Sequence, residues 1–377
     1  MSSETRIYPG ASRELPFILE QLGARRVFLV RGRQSFEASG AKTLVNELLT
    51  RFSLTHFYDF SPNPDIADVK KGVAAFKDSA CSCILAIGGG SVMDMAKLIS
   101  YYREVDMQHF SFKGGGLIYC FEPQPLVCLP TTAGSGTEAT HFAVVYEGLQ
   151  KYSIADARLL PHFVLIDPEL QQSQSAYQKA VSGMDAFAQA LESMWNVNAT
   201  PHSMQLAESA LRLLWTHLEE VVWSRPDASY WAVATAANLA GRAINITKTT
   251  APHALSYGFT KTKGLPHGHA VGLSLPFFID YHRSAPDERC NDVRGAVFVQ
   301  AVLQRVAAVL NCSTDSLSET VALFAEALGL ELNFRALGIN RENFDAAVTN
   351  VNVERLKNNP FEVDAGVLDA FFQFNNR

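Results

Sequence analysis

The pattern of apolar and polar positions changes once along the chain, near residue 172. Before that point, short apolar runs alternate with amphipathic segments. Arg26-Val-Phe-Leu-Val30 reads as a buried strand and Thr55-His-Phe-Tyr58 as a second, short one. Cys83-Ile-Leu-Ala-Ile87, Leu126-Val-Cys-Leu129 and Phe163-Val-Leu-Ile166 read as further apolar strands. Helical periodicity covers Ala41–Phe52, Ile66–Lys77 and Val92–Tyr102. Ser61-Pro-Asn-Pro64 breaks the chain before Asp65, which is suited to cap the next helix. Strands alternating with helices predict an α/β unit with a mostly parallel sheet. After residue 172 the strand signal disappears. Ala176–Asn196, Ser203–Val221, Ser229–Asn245, Gly268–Tyr281, Val293–Leu310, Ser316–Leu328, Arg341–Thr349 and Ala365–Phe372 all read as helices. The expectation is an α/β domain over residues 1–172 and an all-helical domain over 173–377. The Ala-rich run Trp231–Gly241 fits close helix packing, and no internal repeat or low-complexity segment interrupts the scheme.

Composition narrows the class of partner. The chain has 377 residues, 47 % hydrophobic and 19 % charged, which suits two ordinary globular domains. A formal net charge of −6 argues against nucleic acid or an anionic membrane as partner. No apolar run reaches the length of a membrane span, and the N-terminal residues lack the apolar core of a signal peptide. Cys81 and Cys83 are one residue apart, not the two of a metal or redox pair. With Cys120, Cys128, Cys290 and Cys312 they read as buried reduced thiols of a cytoplasmic protein.

Two small-residue loops and one polar cluster carry the chemistry. Gly88-Gly-Gly-Ser91 joins a strand to a helix, where residues without Cβ and free N–H groups suit a diphosphate; the alternative is a plain tight turn. Thr131-Thr-Ala-Gly-Ser-Gly-Thr-Glu138 follows another strand and offers hydroxyl donors. Gly114-Gly-Gly116, with no helix start after it, reads as a loop. Asp185 and Gln189, four apart, share one helix face, and His253 and His267 bring two imidazoles. One carboxylate, one amide oxygen and two imidazoles would make a divalent-ion site; the alternatives are caps, surface groups or satisfied core residues.

Taken in order, these segments resemble the iron-containing alcohol dehydrogenase family. The resemblance rests on Pro62-Asn-Pro64, Gly88-Gly-Gly-Ser-Val-Met-Asp94 with Lys97, Pro130–Glu138, Ile166-Asp-Pro168, Asp185-Ala-x-x-Gln-Ala-x-Glu192, His253 and Pro266-His-Gly268. It implies a Rossmann-like N-terminal domain with a parallel sheet, an all-helical C-terminal domain, and NAD(P)H held by Asn63, Gly89, Gly90, Ser91, Asp94, Thr131, Thr132 and Lys151. It also implies a divalent metal, Fe²⁺ before Zn²⁺ or Mn²⁺, on Asp185, Gln189, His253 and His267. Members often assemble into dimers or larger oligomers. Two positions depart from the family: Gln189 and Tyr257 stand where histidine is usual. An amide oxygen in place of an imidazole lowers affinity for Zn²⁺ more than for oxygen-tolerant ions. The alternative is loss of the metal, with Gln189 only a hydrogen-bonding group. A phenol starts protonated, so Tyr257 is suited to give a proton to a forming alkoxide; alternatively it is a cleft-wall aromatic.

The resemblance implies a metal-dependent oxidoreductase that interconverts a primary alcohol and its aldehyde, with Tyr257 and His267 at the reacting centre. Arg31 and Arg33 flank Gly32 where the family often has Asp, so NADPH is expected to serve at least as well as NADH; two solvated arginines are the alternative. Arg242, Lys248 and Thr249 precede His253, and a cationic cluster there suits an anionic substrate unless these are ordinary surface groups. The surrounding motifs are similar to those of the phosphonoacetaldehyde reductases, which makes phosphonoacetaldehyde, reduced to 2-hydroxyethylphosphonate, the expected substrate. Three rival readings are a metal-free reductase similar to maleylacetate reductases, a lyase resembling dehydroquinate synthases, and a cofactor-binding protein without catalysis.

Overall fold

The computed structural model describes residues 3–114, 122–148, 150–224, 227–349, 351 and 353–377. Gly115, Gly116 and Cys120 lie outside the described residues. The chain divides into two compact units, Met1–Gln174 and Ser175–Arg377.

The strands of the first unit are β1 (Glu4–Ile7), β2 (Arg26–Arg31), β3 (Ser53–Phe57), β4 (Cys83–Gly88), β5 (Leu126–Pro130), β6 (Phe142–Glu147), β7 (Gln150–Ala155) and β8 (Phe163–Ile166). Six of them form one parallel sheet in the order β1-β8-β5-β4-β2-β3. Every residue of β4 and β5 is buried, as expected of central parallel strands covered on both faces, and this is why they read as unbroken apolar runs. Leu15, Ile18, Phe36 and Val45 pack over Val27, Leu29, Leu85 and Val127 in the core of this unit. Helices Ile66–Ser79 and Gly90–Tyr102 follow β3 and β4, and the Asp65 carboxylate accepts the Ala67 N–H at 2.8 Å as a helix cap.

Three elements of this unit have weak sequence signals. The strand β1 is polar and pairs only with β8. β6 and β7 form a separate antiparallel hairpin whose turn holds Gly148 at φ 61°. This hairpin docks on the Pro62–Pro64 turn, where the Tyr146 N–H donates to the Pro64 carbonyl at 2.8 Å.

The second unit is helical. Its first helix, Ala176–Trp195, starts at a capping box between Ser175 and Gln178 and is buried for most of its length. Helix Asp227–Thr247, which holds the Ala-rich run, packs against both Pro201–Trp223 and Ala176–Trp195. The stretch read as one helix from Gly268 to Tyr281 is two, His267–Gly272 and Leu275–Ser284. Pro276 lies in the first turn of the latter, where it has no N–H to continue the preceding helix. Ala251–Lys263 is a helix with Pro252 in its first turn and Gly264 closing it at φ 69°. Phe259, Phe334, Phe344 and Phe371 cluster beneath it. Cys81, Cys83 and Cys128 are buried and free, whereas Cys290 and Cys312 are free but only half-buried, a correction to the reading of all as buried. Among the described residues no helix is long and apolar enough to cross a membrane.

Candidate active site

Asp185 projects from the middle of helix Ala176–Trp195, and one of its carboxylate oxygens is the meeting point of the second unit. Gln189 Nε2 and His253 Nε2 each lie 3.2 Å from Asp185 Oδ1, and His267 Nε2 lies 3.9 Å away. One ligand atom from each of Asp185, His253 and His267 falls within 4.8 Å of the others. Burial opposes the charge on Asp185, but His253, His267 and Gln189 outweigh it and hold the carboxyl below its usual range. Burial likewise disfavours a charged His253, yet the Glu192 and Asp185 carboxylates raise it to about 9. In this structure the charge on His253 balances that on Asp185; with the proton displaced, one carboxylate and two imidazoles are a donor set that fits a divalent ion.

Each imidazole is held by its other nitrogen. Glu192, fully buried one turn beyond Gln189, takes the His253 Nδ1–H on Oε1. Its Oε2 accepts the Thr250 N–H at 2.6 Å and the Thr250 hydroxyl at 2.8 Å. His253 Nε2 is thereby turned toward Asp185, to which it donates while the imidazole is protonated and beside which it offers a lone pair once that proton is lost. Ser256 donates to the His253 carbonyl at 2.8 Å and accepts the Nδ1–H of His267 at 3.3 Å, which turns His267 Nε2 the same way. Close backbone contact brings His267 in: a Cβ on Gly268 would lie 1.9 Å from the Val181 carbonyl oxygen.

The Tyr257 ring stacks on His267, with centroids 5.1 Å apart and planes 8° apart. Its hydroxyl accepts from Arg355 Nη1 at 2.6 Å, and the same nitrogen donates to Thr249 Oγ1 at 2.8 Å. The segment carrying Arg355 is tied down by Asn358, whose Nδ2 donates to the Thr249 carbonyl at 3.0 Å. Arg242 and Lys248 are exposed, and Thr249 is joined to Tyr257 through Arg355.

In the first unit the two small-residue loops lie against each other. A Cβ on Gly89 would meet Thr132, and one on Gly90 would lie 2.8 Å from Ser135 Oγ. Gly89 caps helix Gly90–Tyr102 with no side-chain hydrogen bond, leaving the helix N-terminus suited to an anion. Asn63, at φ 61°, donates its N–H to Ser91 Oγ at 3.1 Å. The Thr131 hydroxyl is buried with no hydrogen-bonding partner among the described residues. One turn into the helix, burial pushes Asp94 up to about 7 against the pull of Lys97, the Val144 N–H and Lys151. Lys97, fully buried, donates to the Thr137, Thr140 and Phe142 carbonyls at 2.5, 2.7 and 3.1 Å. It thereby fastens the helix to the end of the second loop.

Four contributors were absent from the sequence reading as site residues: Glu192, Thr250, Ser256 and Arg355. Glu192 had a signal, because Asp185, Gln189 and Glu192 at i, i+4 and i+7 share a helix face. Ser256 lies three residues after His253, also on its face. Arg355 has no local signal.

Comparison with known proteins shows the family to which the chain belongs. The family model of iron-containing alcohol dehydrogenases matches residues 2–168, and that of the C-terminal region of the Fe-containing alcohol dehydrogenases matches residues 179–368. A phosphonoacetaldehyde reductase of Streptomyces viridochromogenes is 33 % identical over 289 residues, 74 % of this chain and 72 % of that protein. An NAD-dependent methanol dehydrogenase of Bacillus methanolicus is 27 % identical over 94 % of this chain and 90 % of its own length. Among solved structures, a sulfoacetaldehyde reductase from Bifidobacterium kashiwanohense in complex with NAD⁺ superposes with a TM-score of 0.86 at 27 % identity, covering 99 % of this chain and 97 % of that one. With both halves matched in order, the chain belongs to the iron-containing alcohol dehydrogenase family of oxidoreductases.

Proposed function

We propose that the protein is a metal-dependent NAD(P)H oxidoreductase that reduces a short anionic aldehyde to its primary alcohol, with phosphonoacetaldehyde as the preferred substrate. Residues 1–172 would hold the dinucleotide, and residues 173–377 the ion and the aldehyde. The observation that carries the reading is the convergence of His253 and His267 on the Asp185 carboxylate, to which Gln189 donates through Nε2 with its amide oxygen the atom that would turn to an ion. The ion on these four side chains would supply Lewis acidity and the nicotinamide would supply hydride. The chain's own part is to orient and to move a proton. Glu192 and Ser256 fix the two imidazoles with Nε2 inward. Tyr257, a neutral phenol beside His267, donates a proton to the developing alkoxide.

Gly90, Ser91 and the open helix N-terminus suit the diphosphate, while Asn63, Asp94, Thr131, Thr132 and Lys151 suit the rest of the dinucleotide. Arg31 and Arg33 favour NADPH. The Arg31 guanidinium lies over the Tyr58 and Phe36 rings at 4.0 and 4.6 Å, and Arg33 pairs with Asp59 at 2.5 Å, so both are held at the end of β2. Metal analysis of protein purified without oxygen, followed by an aldehyde panel read by NADPH and NADH absorbance, tests the proposal. The expected result is about one divalent ion per chain, loss of activity with chelator, and fastest turnover of phosphonoacetaldehyde. Metal-free protein with full activity, or equal rates on neutral aldehydes, would overturn it, and a large preference for NADH would remove the cofactor assignment.

A further inference from the structure

Arg355 is a side chain for which the proposed chemistry has no use, although it sits against that chemistry's wall. It is half-buried, its Nη1 bridges the Thr249 and Tyr257 hydroxyls, and its Cζ lies 5.2 Å from the Tyr257 ring centroid. The Tyr257 ring in turn lies 5.1 Å from that of His267. These two separations keep the guanidinium within roughly 10 Å of the His267 ring. Thr249 is buried and Tyr257 half-buried, so a cation and two hydroxyls meet in a partly dehydrated corner. A planar guanidinium beside the Thr249 hydroxyl is a donor set that tetrahedral oxyanions take. Arg242 and Lys248, the cations nearest in sequence, are exposed and solvated by comparison.

We propose that Arg355, with the Thr249 hydroxyl beside it, receives the distal tetrahedral oxyanion of the substrate, a phosphonate or a sulfonate, and thereby selects short anionic aldehydes over neutral ones, while Tyr257 keeps its proton for the alkoxide. The inference rests on the aldehyde reductase reading for its biological meaning, but it makes a binding claim that stands without turnover. An oxyanion placed there replaces the neutral hydroxyl acceptors of Arg355 by a charged one, and the guanidinium is oriented by Thr249 and Tyr257 before the substrate arrives. The phosphonate dianion gains more from a cation than the sulfonate monoanion does, so the two should bind in that order.

The test is calorimetric titration of the metal-loaded protein with phosphonoacetate and, separately, sulfoacetate. Wild type is compared with Arg355→Met, Arg355→Lys and Thr249→Val, each checked for an unchanged melting transition. Arg355→Met should weaken phosphonoacetate at least 30-fold, Arg355→Lys less than 10-fold, and Thr249→Val about fivefold, in line with the loss of one or two charge-assisted bonds. In kinetics, the ratio of kcat/KM for phosphonoacetaldehyde to that for propanal should fall at least 30-fold in Arg355→Met. Tighter binding of sulfoacetate than phosphonoacetate would assign the site to a sulfonate and overturn the charge argument. No binding of either anion by wild type, or binding by Arg355→Met within threefold of wild type, would overturn the site. Should Arg355→Met fail to fold, Thr249→Val with unchanged affinity would do the same. Failure of the reductase reading looks different: no aldehyde consumes NAD(P)H, while anion binding still depends on Arg355.

Discussion

Replacing Glu192 by Gln tests whether the buried carboxylate behind His253 sets up the metal site. Glu192 has no exposed surface and accepts three hydrogen bonds, one from the His253 imidazole and two from Thr250. Glutamine keeps the shape but offers one acceptor oxygen and one NH₂ group. If the oxygen faces His253, the NH₂ group meets the Thr250 backbone N–H, donor against donor. If it faces Thr250, the NH₂ group meets the His253 Nδ1–H, and the imidazole must turn or change tautomer. A buried donor left without a partner costs about 1–3 kcal/mol, which sets the expected loss of stability in the metal-free protein. Loss of such an outer partner typically weakens metal binding about 10–100-fold, equivalent to roughly 1.4–2.7 kcal/mol. Urea unfolding of the apoprotein reads the first quantity and chelator-competition titration with Fe²⁺ or Mn²⁺ the second. Metal affinity within threefold of wild type, with an unchanged unfolding midpoint, would refute the claim that Glu192 orients His253.

Gln189→His should raise affinity for Zn²⁺ more than for Mn²⁺, because an imidazole replaces a harder amide oxygen; parallel titrations with the two ions check it, and equal gains would count against Gln189 as a ligand. Gly268→Ala should cost about 1–3 kcal/mol or more and weaken metal binding, since its Cβ meets the Val181 carbonyl at 1.9 Å and backbone must move; unfolding and metal titration read the two effects together. His282 gives the pH dependence. It is fully buried, receives the Asn359 side-chain N–H at 3.1 Å, and burial holds its pKa down to about 3. Its folded pKa lies below the unfolded value, so the unfolded chain takes up the proton first. The stabilisation is therefore complete above about pH 6.5 and falls by up to about 1.4 kcal/mol per unit as pH drops toward 3. Urea unfolding at pH 7.5 and 5.0 should show this slope in wild type and a shallower one in His282→Gln; equal slopes would assign the pH dependence to other groups.

How much was legible depended on whether a signal was local. β2, β4, β5 and β8 are apolar runs because both faces are covered, and a run of that kind announces itself. The hairpin β6–β7 is only partly covered, so its alternation is blurred by half-exposed Tyr146, Lys151 and Tyr152. The break at Gly272–Leu275 was missed because Pro276 suits the first turn of a helix as well as the end of one. Asp185, Gln189 and Glu192 were readable as one face by spacing alone, whereas Arg355 meets Tyr257 only through tertiary folding.

The two imidazoles of the candidate metal site are held by unlike partners, and this asymmetry bears on how the site works. His253 leans on a carboxylate with no exposure and is itself buried. A carboxylate partner raises imidazole basicity, so His253 is the stronger and more rigid donor. His267 leans on a neutral hydroxyl, its side chain is 35 % exposed, and its ring is stacked on Tyr257. It is the weaker donor and the one on the side where Tyr257, Thr249 and Arg355 gather. The structure thus separates an anchored half, Asp185 with His253 and Glu192, from an open half made by His267 and Tyr257. On the proposed function substrate would take the open half, where the weaker imidazole would yield a position on an ion and the Tyr257 hydroxyl would give a proton. The substitution of Tyr257 for the family's usual histidine falls within that half. The anchored half keeps the Asp185 carboxylate and His253, and of the two departures only Gln189 alters it.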